Sequence, residues 1–369
     1  MFDFLPAKIY YDVYINISLI IVVFTLFHTF ILKIQEKKNI TYINIIGYIF
    51  FVFLVLFIGF RPYSTYFGDM GVYYRDFMKY SFGGELNTAQ DPFFQYFMKI
   101  CSYFLSARGF FVVSAMLYIF PLYRVSKIFF KQYWFYAFLM LATSFSFWSY
   151  GVNGMRNGLA TSFFLLAVSY YDKKIWMIIF FIISSQIHQT LLLPILAFLL
   201  SHLYNNSKWF LTFWVLAIPL SIALGGFWES LFASLGFGDE RLTGYLVGND
   251  DLEGTTFSST GFRYDFLIYS AGAVFTGWYF IFKKNFNDKI YTHLYNIYLF
   301  CNGFWILVIR ANFSNRFAYL SWFMMALIII YPFLKNEFFS KHHVMVGKVF
   351  TAYFMFTFLM YYFYYEGSS

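Results

Sequence analysis

Ile175-Trp176-Met177-Ile178-Ile179-Phe180-Phe181-Ile182-Ile183-Ser184-Ser185-Gln186-Ile187-His188-Gln189-Thr190-Leu191-Leu192-Leu193-Pro194-Ile195-Leu196-Ala197-Phe198-Leu199-Leu200 is the stretch that decides how this chain is read. Two apolar runs, 175–187 and 189–204, flank a polar knot from Ser184 to Thr190. A helix needs about 20 apolar residues to cross a bilayer, and shorter ones occur within bundles. Taken whole, the stretch is one long helix. Divided at His188, it is two short ones. Only the division places Lys33, Lys37, Lys38, Lys127, Lys131, Lys173, Lys174, Lys208, Lys283, Lys284, Lys289, Lys335, Lys341 and Lys348 on one side. Lysine excess marks the cytoplasmic side of a membrane protein. The division is therefore preferred.

Working outward, the composition agrees with a membrane chain. Of 369 residues, 60% are hydrophobic and 12% are charged, and mean hydropathy is +0.61. A soluble domain carries about 25% charged residues. Spans are expected at about 13–32, 41–60, 109–129, 132–149, 154–171, 175–187, 189–204, 208–224, 263–282, 290–309, 317–334 and 344–363. The predicted fold is a single all-α polytopic membrane domain of about twelve transmembrane helices, with both termini outside. Two long outer-face loops are expected, about 61–108 and 225–262. The first ends in 93–106, opened by Asp91-Pro92, which is short enough to be an interfacial or re-entrant helix. The second is rich in glycine and acid, as mobile loops are.

Several function classes fall away. A net charge of +8 concentrated in lysine-rich connections faces anionic lipid and forms no basic stripe for nucleic acid. Cys101 and Cys301 are too far apart for a metal spacing or a disulfide framework. No P-loop, Gly-x-Ser-x-Gly or Cys/His metal pattern occurs. The run Asn249-Asp250-Asp251-Leu252-Glu253 reads as a solvated loop or as oxygen ligands for a divalent ion. The first apolar run lacks a small-residue cleavage site and is expected to be a retained helix. No internal repeat suggests an inverted-repeat transporter. The 90 Phe and Tyr residues follow from an AT-rich coding composition as readily as from ligand stacking.

Arginine is distributed unlike lysine. Eight of nine arginines fall at the opposite, outer side, with Arg124 the exception. Their planar forks grip phosphate in two places, which gives a reason to bear that placement. Four constellations carry them. Arg61-Pro62 ends the second span, leaving the guanidinium at the outer interface, and Gly68-Asp69-Met70-Gly71 follows. Asp69 reads either as the cap of a short helix or as a general base. Asn153-Gly154-Met155-Arg156-Asn157-Gly158 opens a helix whose two glycines suit close packing, with Arg156 on another face. Arg156 there either snorkels to head groups or adds to the anion site of a helix N-terminus. His188 is either a polar hinge or a proton-transfer group. Arg310-Ala311-Asn312-Phe313-Ser314-Asn315-Arg316 holds two guanidiniums in one outer turn, for lipid phosphate or substrate, and Arg263 heads a neighbouring helix.

In this order the blocks resemble the EpsG-like branch of the Wzy polysaccharide polymerases. The resemblance rests on Arg61 with Gly68-Asp69 and Tyr73, on Asn153 with Arg156, on His188, Thr190 and Pro194, and on Arg316. Asn157-Gly158 departs from the Gln-Ser or Gln-Gly type of pair expected there. The resemblance implies a GT-C-like membrane glycosyltransferase joining undecaprenyl-diphosphate-linked repeat units into O-antigen, capsule or exopolysaccharide. It implies an active site on the outer face of the bacterial cytoplasmic (inner) membrane. Asp69 or His188 would be the base. Arg156, Arg310 and Arg316, with Arg61, Arg263 and Asn153 nearby, would hold the diphosphate. Metal-independent activity without a cofactor is expected, and a Wzz-like chain-length regulator is an expected partner. The rival readings are a lipid-linked oligosaccharide flippase, an O-antigen-ligase-like enzyme and an acyl-transferring membrane enzyme.

Overall fold

The structure is a computed structural model and describes residues 4–86, 91–234, 261–311 and 314–365. These residues form helices α1 (Tyr10–Ile31), α2 (Lys37–Gly59), α3 (Met70–Ser81), α4 (Pro92–Phe104), α5 (Ala107–Phe130), α6 (Trp134–Ala142), α7 (Phe145–Val152), α8 (Met155–Ser169), α9 (Lys174–Ile187), α10 (Leu192–Leu203), α11 (Ser207–Ser234), α12 (Tyr264–Trp278), α13 (Lys289–Leu307), α14 (Asn315–Lys335) and α15 (His342–Met360). No strand occurs among the described residues. An all-helical answer follows from the solvent: in hydrocarbon, a helix satisfies its own backbone.

Among the described residues seven helical segments are long and apolar enough to cross a membrane, and 174–187 and 189–203 are shorter apolar helices. A polytopic all-α chain is thus present, with seven such segments where about twelve spans are expected. The clearest difference lies at 132–149, which is not one helix. Lys131 at φ +49° reverses the chain after α5, and α6 packs back along it. At Thr143-Ser144 the helix then breaks into α6 and α7. A break inside a bundle strands carbonyls, and neighbouring helices take them up. Tyr14 Oη donates to Ala142 O at 2.6 Å, and Thr357 Oγ1 donates to Thr143 O at 3.0 Å. Composition hides the break because both halves are apolar enough to read as one span.

The chain divides into two compact units, Met1–His188 with Ile330–Ser369, and Gln189–Ile329. In the first unit α5 packs on α2 and α8, α8 packs on α9, and α1 packs on α15. Every residue of α6 is buried. α4 is amphipathic. It buries Phe94, Gln95, Met98 and Cys101 and exposes Phe93, Tyr96, Ile100, Tyr103 and Phe104. At 13 residues it is too short to span. In the second unit α10 and α11 pack on α13, and α11 kinks at Leu224, where φ is −132°.

The expected break at His188 is present. α9 stops at Ile187, His188 is extended (φ −154°, ψ 120°), and a short 3-10 turn at Gln189–Leu191 precedes α10. The loop expected at 225–262 begins later, because α11 runs through Ser234. Gly236, Gly238, Gly244, Gly248, Gly254 and the acidic run 249–253 lie outside the described residues, while Gly261 is described at φ +128°.

Candidate active site

The first unit gathers its site at one end of its helices. α2 runs from Lys37 to Gly59, α8 runs from Met155 towards Lys173, and α9 runs from Lys174 to Ile187. The lysines therefore sit at the far ends of these helices, away from Arg61, Arg156 and His188.

The break between α7 and α8 carries the first group. Asn153 closes α7 and Gly154 opens α8. A Cβ at Gly158 would stand 2.5 Å from Tyr150 O, so that glycine lets α8 close on α7, whereas Gly154 has ordinary room. Asn153 Oδ1 accepts from Asp69 N at 3.0 Å, docking the loop after α2 onto the break. Gly68 makes this possible: its φ is +59°, and a Cβ there would collide with Asn153 Oδ1. Asp69 occupies the N-cap position of α3, but its side chain makes no capping bond and is exposed. Its capping reading is thus not realised by the side chain.

The centre of the site is Asp91. Sequence reading used it only as a helix start. Its side chain is 7% exposed. Arg156 Nη1 donates to its Oδ2 at 2.7 Å, and His188 Nδ1 lies 3.1 Å from its Oδ1. One carboxylate thus joins α4, the first turn of α8 and the end of α9. Arg156 also bonds to Tyr73, and Coulombic interaction ties it to Asp69. Burial pushes the Tyr73 phenol above its ordinary pKa, while Arg156 pulls it down. With Nδ1 facing the carboxylate, His188 has its second nitrogen, Nε2, left as the proton acceptor. The signal that could have exposed Asp91 was an acid directly before Pro92 and an amphipathic apolar helix. Such an acid has no solvent and needs partners.

Arg61 follows the end of α2, and it is 2% exposed. Nη1 donates to Ile58 O at 2.6 Å, and Nη2 reaches Val152 O at 3.2 Å and Met155 Sδ at 3.3 Å. The rings of Phe67 and Phe111 flank it at 5.7 and 5.1 Å. Unpaired carbonyls at the ends of α2 and α7 draw the cation inward. Burial lowers its pKa to about 10, so it stays charged at neutral pH.

In the second unit, Arg263 is engaged by its own helix. Nε and Nη2 both bond Asp265, at 3.0 and 2.7 Å, and the guanidinium stacks on Phe266. Arg310, just after α13, and Arg316, in the first turn of α14, are both exposed. Gly225 leaves room for the Arg310 side chain, whose Cδ would lie 3.2 Å from a Cβ there. Asn312 lies outside the described residues. No group of three or more His, Cys, Asp or Glu suited to a metal occurs among the described residues.

Fold and site together define a polytopic α-helical membrane protein with a part-buried Arg–Asp–His network at a helix break. Residues 44–368 match the sequence model of the EpsG family. The chain belongs to the EpsG family. No curated protein and no solved structure matches it. The family supports a polymerase-like role in exopolysaccharide synthesis.

Proposed function

We propose that this protein polymerises undecaprenyl-diphosphate-linked oligosaccharide repeat units at the outer face of the bacterial cytoplasmic membrane. The observation that supports it most is the carboxylate of Asp91, buried and shared by Arg156 and His188. A base and an anion-binding group thereby stand on one small frame. The lysines at the far helix ends mark the cytoplasmic side.

The acceptor hydroxyl attacks the anomeric carbon of the donor sugar. The new C–O bond forms as the bond to the diphosphate breaks. His188 Nε2 takes the hydroxyl proton, with Asp91 on Nδ1 orienting the ring and stabilising the imidazolium. Arg156 steadies the leaving diphosphate, and exposed Asp69 is placed to hold a sugar hydroxyl. A well-placed charge-stabilising donor contributes about 2.7–4 kcal/mol to such a step. Arg61 supports the α7–α8 break.

The test is polymer formation by the purified protein in proteoliposomes supplied with lipid-linked repeat units already on the outer leaflet. A ladder of lengthened product without any flipping activity supports the reading. Translocation of unchanged lipid-linked units, with no lengthening, would overturn it in favour of a flippase.

A further inference from the structure

We infer that Asp91 is a positioning residue that stands in for the diphosphate. It holds Arg156 until a lipid-linked diphosphate takes that arginine over, which frees the carboxylate from Arg156 and strengthens its hold on His188. This rests on the polymerase reading above.

Three observations lead there. First, each oxygen of Asp91 serves a different group: Oδ2 faces Arg156 at 2.7 Å and Oδ1 faces His188 at 3.1 Å. Second, the backbone of Asp91 is left-handed (φ 46°, ψ 58°) and directly precedes Pro92. That conformation is disfavoured for a non-glycine residue, and more so before proline. Partners that over-determine a position hold such a residue in place. Third, Arg156 is not sealed in. Its side chain is 16% exposed, and the bond to Asp91 uses one nitrogen of a five-donor fork.

An incoming diphosphate meets a guanidinium already carrying a carboxylate. Two anions so close repel, so binding one loosens the other. A diphosphate has more charge and more acceptor oxygens than a carboxylate, and it matches the fork bidentately. Arg156 therefore transfers its bond from Asp91 to the donor. Asp91, no longer sharing its charge with Arg156, then better stabilises the imidazolium formed on proton uptake. The base becomes effective when the donor is seated, which protects a lipid-linked substrate from premature attack by water. Asp69 and Tyr73, both coupled to Arg156, are the other ionisable groups facing this exchange.

The prediction has an unusual sign. Farnesyl diphosphate is titrated into the full-length protein in nanodiscs, alongside polymer assays. Asp91→Asn should bind it about tenfold more tightly than wild type, because a competing charge is gone. The same variant should turn over at least about 10²-fold more slowly, because His188 has lost its anionic partner. Asp91→Glu should restore part of the turnover. Unchanged or weaker binding by a folded Asp91→Asn protein overturns the stand-in role and leaves the polymerase reading intact. Wild-type affinity in Arg156→Ala would instead remove the anion site itself, and with it both readings. If Asp91→Asn does not fold, wild type labelled with ¹⁵N-histidine decides. The His188 resonances should shift on adding farnesyl diphosphate, and unmoved resonances would overturn the proposal.

Discussion

The two units bury polarity in opposite ways. The first buries charge: Arg61 and Asp91 are 2% and 6% exposed. The second, among its described residues, buries only neutral polar groups: Ser201, Ser207, Ser221, Ser270, His293, Asn296, Asn302 and Ser321. Its groups bond mainly to one another along α13. Asn302 accepts from Trp214 Nε1 and donates to Ser270 and Ser321. Asn296 accepts from Ser207 and donates to Ser201 and Asn205. Neutral networks hold helices together in a medium that offers no hydrophobic drive between them. Buried charge is costly enough there to mark function by default. The comparison teaches that a polar interior is not by itself a site. Charge shared across helix ends separates chemistry from adhesion.

The largest expected effect comes from breaking the charged network. Arg156→Ala should cost about 10²–10³ in turnover. It should also cost about 3–5 kcal/mol of stability, because Asp91 loses its charged partner. Arg156→Lys should restore most of the stability, read by thermal melting, but little of the polymer. Full polymer from the lysine variant would mean that a point charge suffices, without the planar fork. Next comes Gly68→Ala. It places a methyl group on Asn153 at a positive φ, which should displace Asp69 and lower activity about tenfold or more, with melting lowered by about 1–3 kcal/mol. Wild-type activity in that variant would detach the Gly68-Asp69 turn from the site.

Within the second unit, Asn302→Leu should cost about 2 kcal/mol, at roughly 0.6 kcal/mol per hydrogen bond in a membrane. Turnover per folded molecule should stay unchanged, and a selective loss of turnover would blur the contrast between the units. The smallest effect is expected from Arg263→Ala. Its partly exposed pair with Asp265 is worth about 0–1 kcal/mol, so polymer yield should change little. A large loss there would move Arg263 into the anion-binding set.

Much of this was legible in sequence, for stated reasons. Apolar runs announce helices in lipid, and the split at His188 follows from lysine placement alone. Asn153, Arg156 and His188 stood out because polar groups are rare in such segments. Asp91 did not stand out, since one acid before a proline looks like an ordinary helix start. Its importance comes from α8 and α9, which lie 65 and 97 positions along the chain. The burial of Arg61 is hidden in sequence for a similar reason. Its partners are carbonyls, Ile58 O and Val152 O, and backbone acceptors leave no mark in side-chain patterns. The break at Thr143-Ser144 was hidden because Tyr14 and Thr357, which repair it, are remote.

α4 gives the charged network a mechanical dependence. Asp91 caps one end of a short rod whose opposite face is a stripe of Phe93, Tyr96, Ile100, Tyr103 and Phe104. Whatever solvates that stripe fixes the rod's depth and tilt, and so fixes where the carboxylate stands. A micelle offers the stripe a curved, yielding bed, whereas a bilayer offers a flat one with a defined interface for aromatic rings. Choice of detergent, bilayer thickness and lateral pressure thus become variables acting on the oxygen-to-nitrogen distances at one carboxylate.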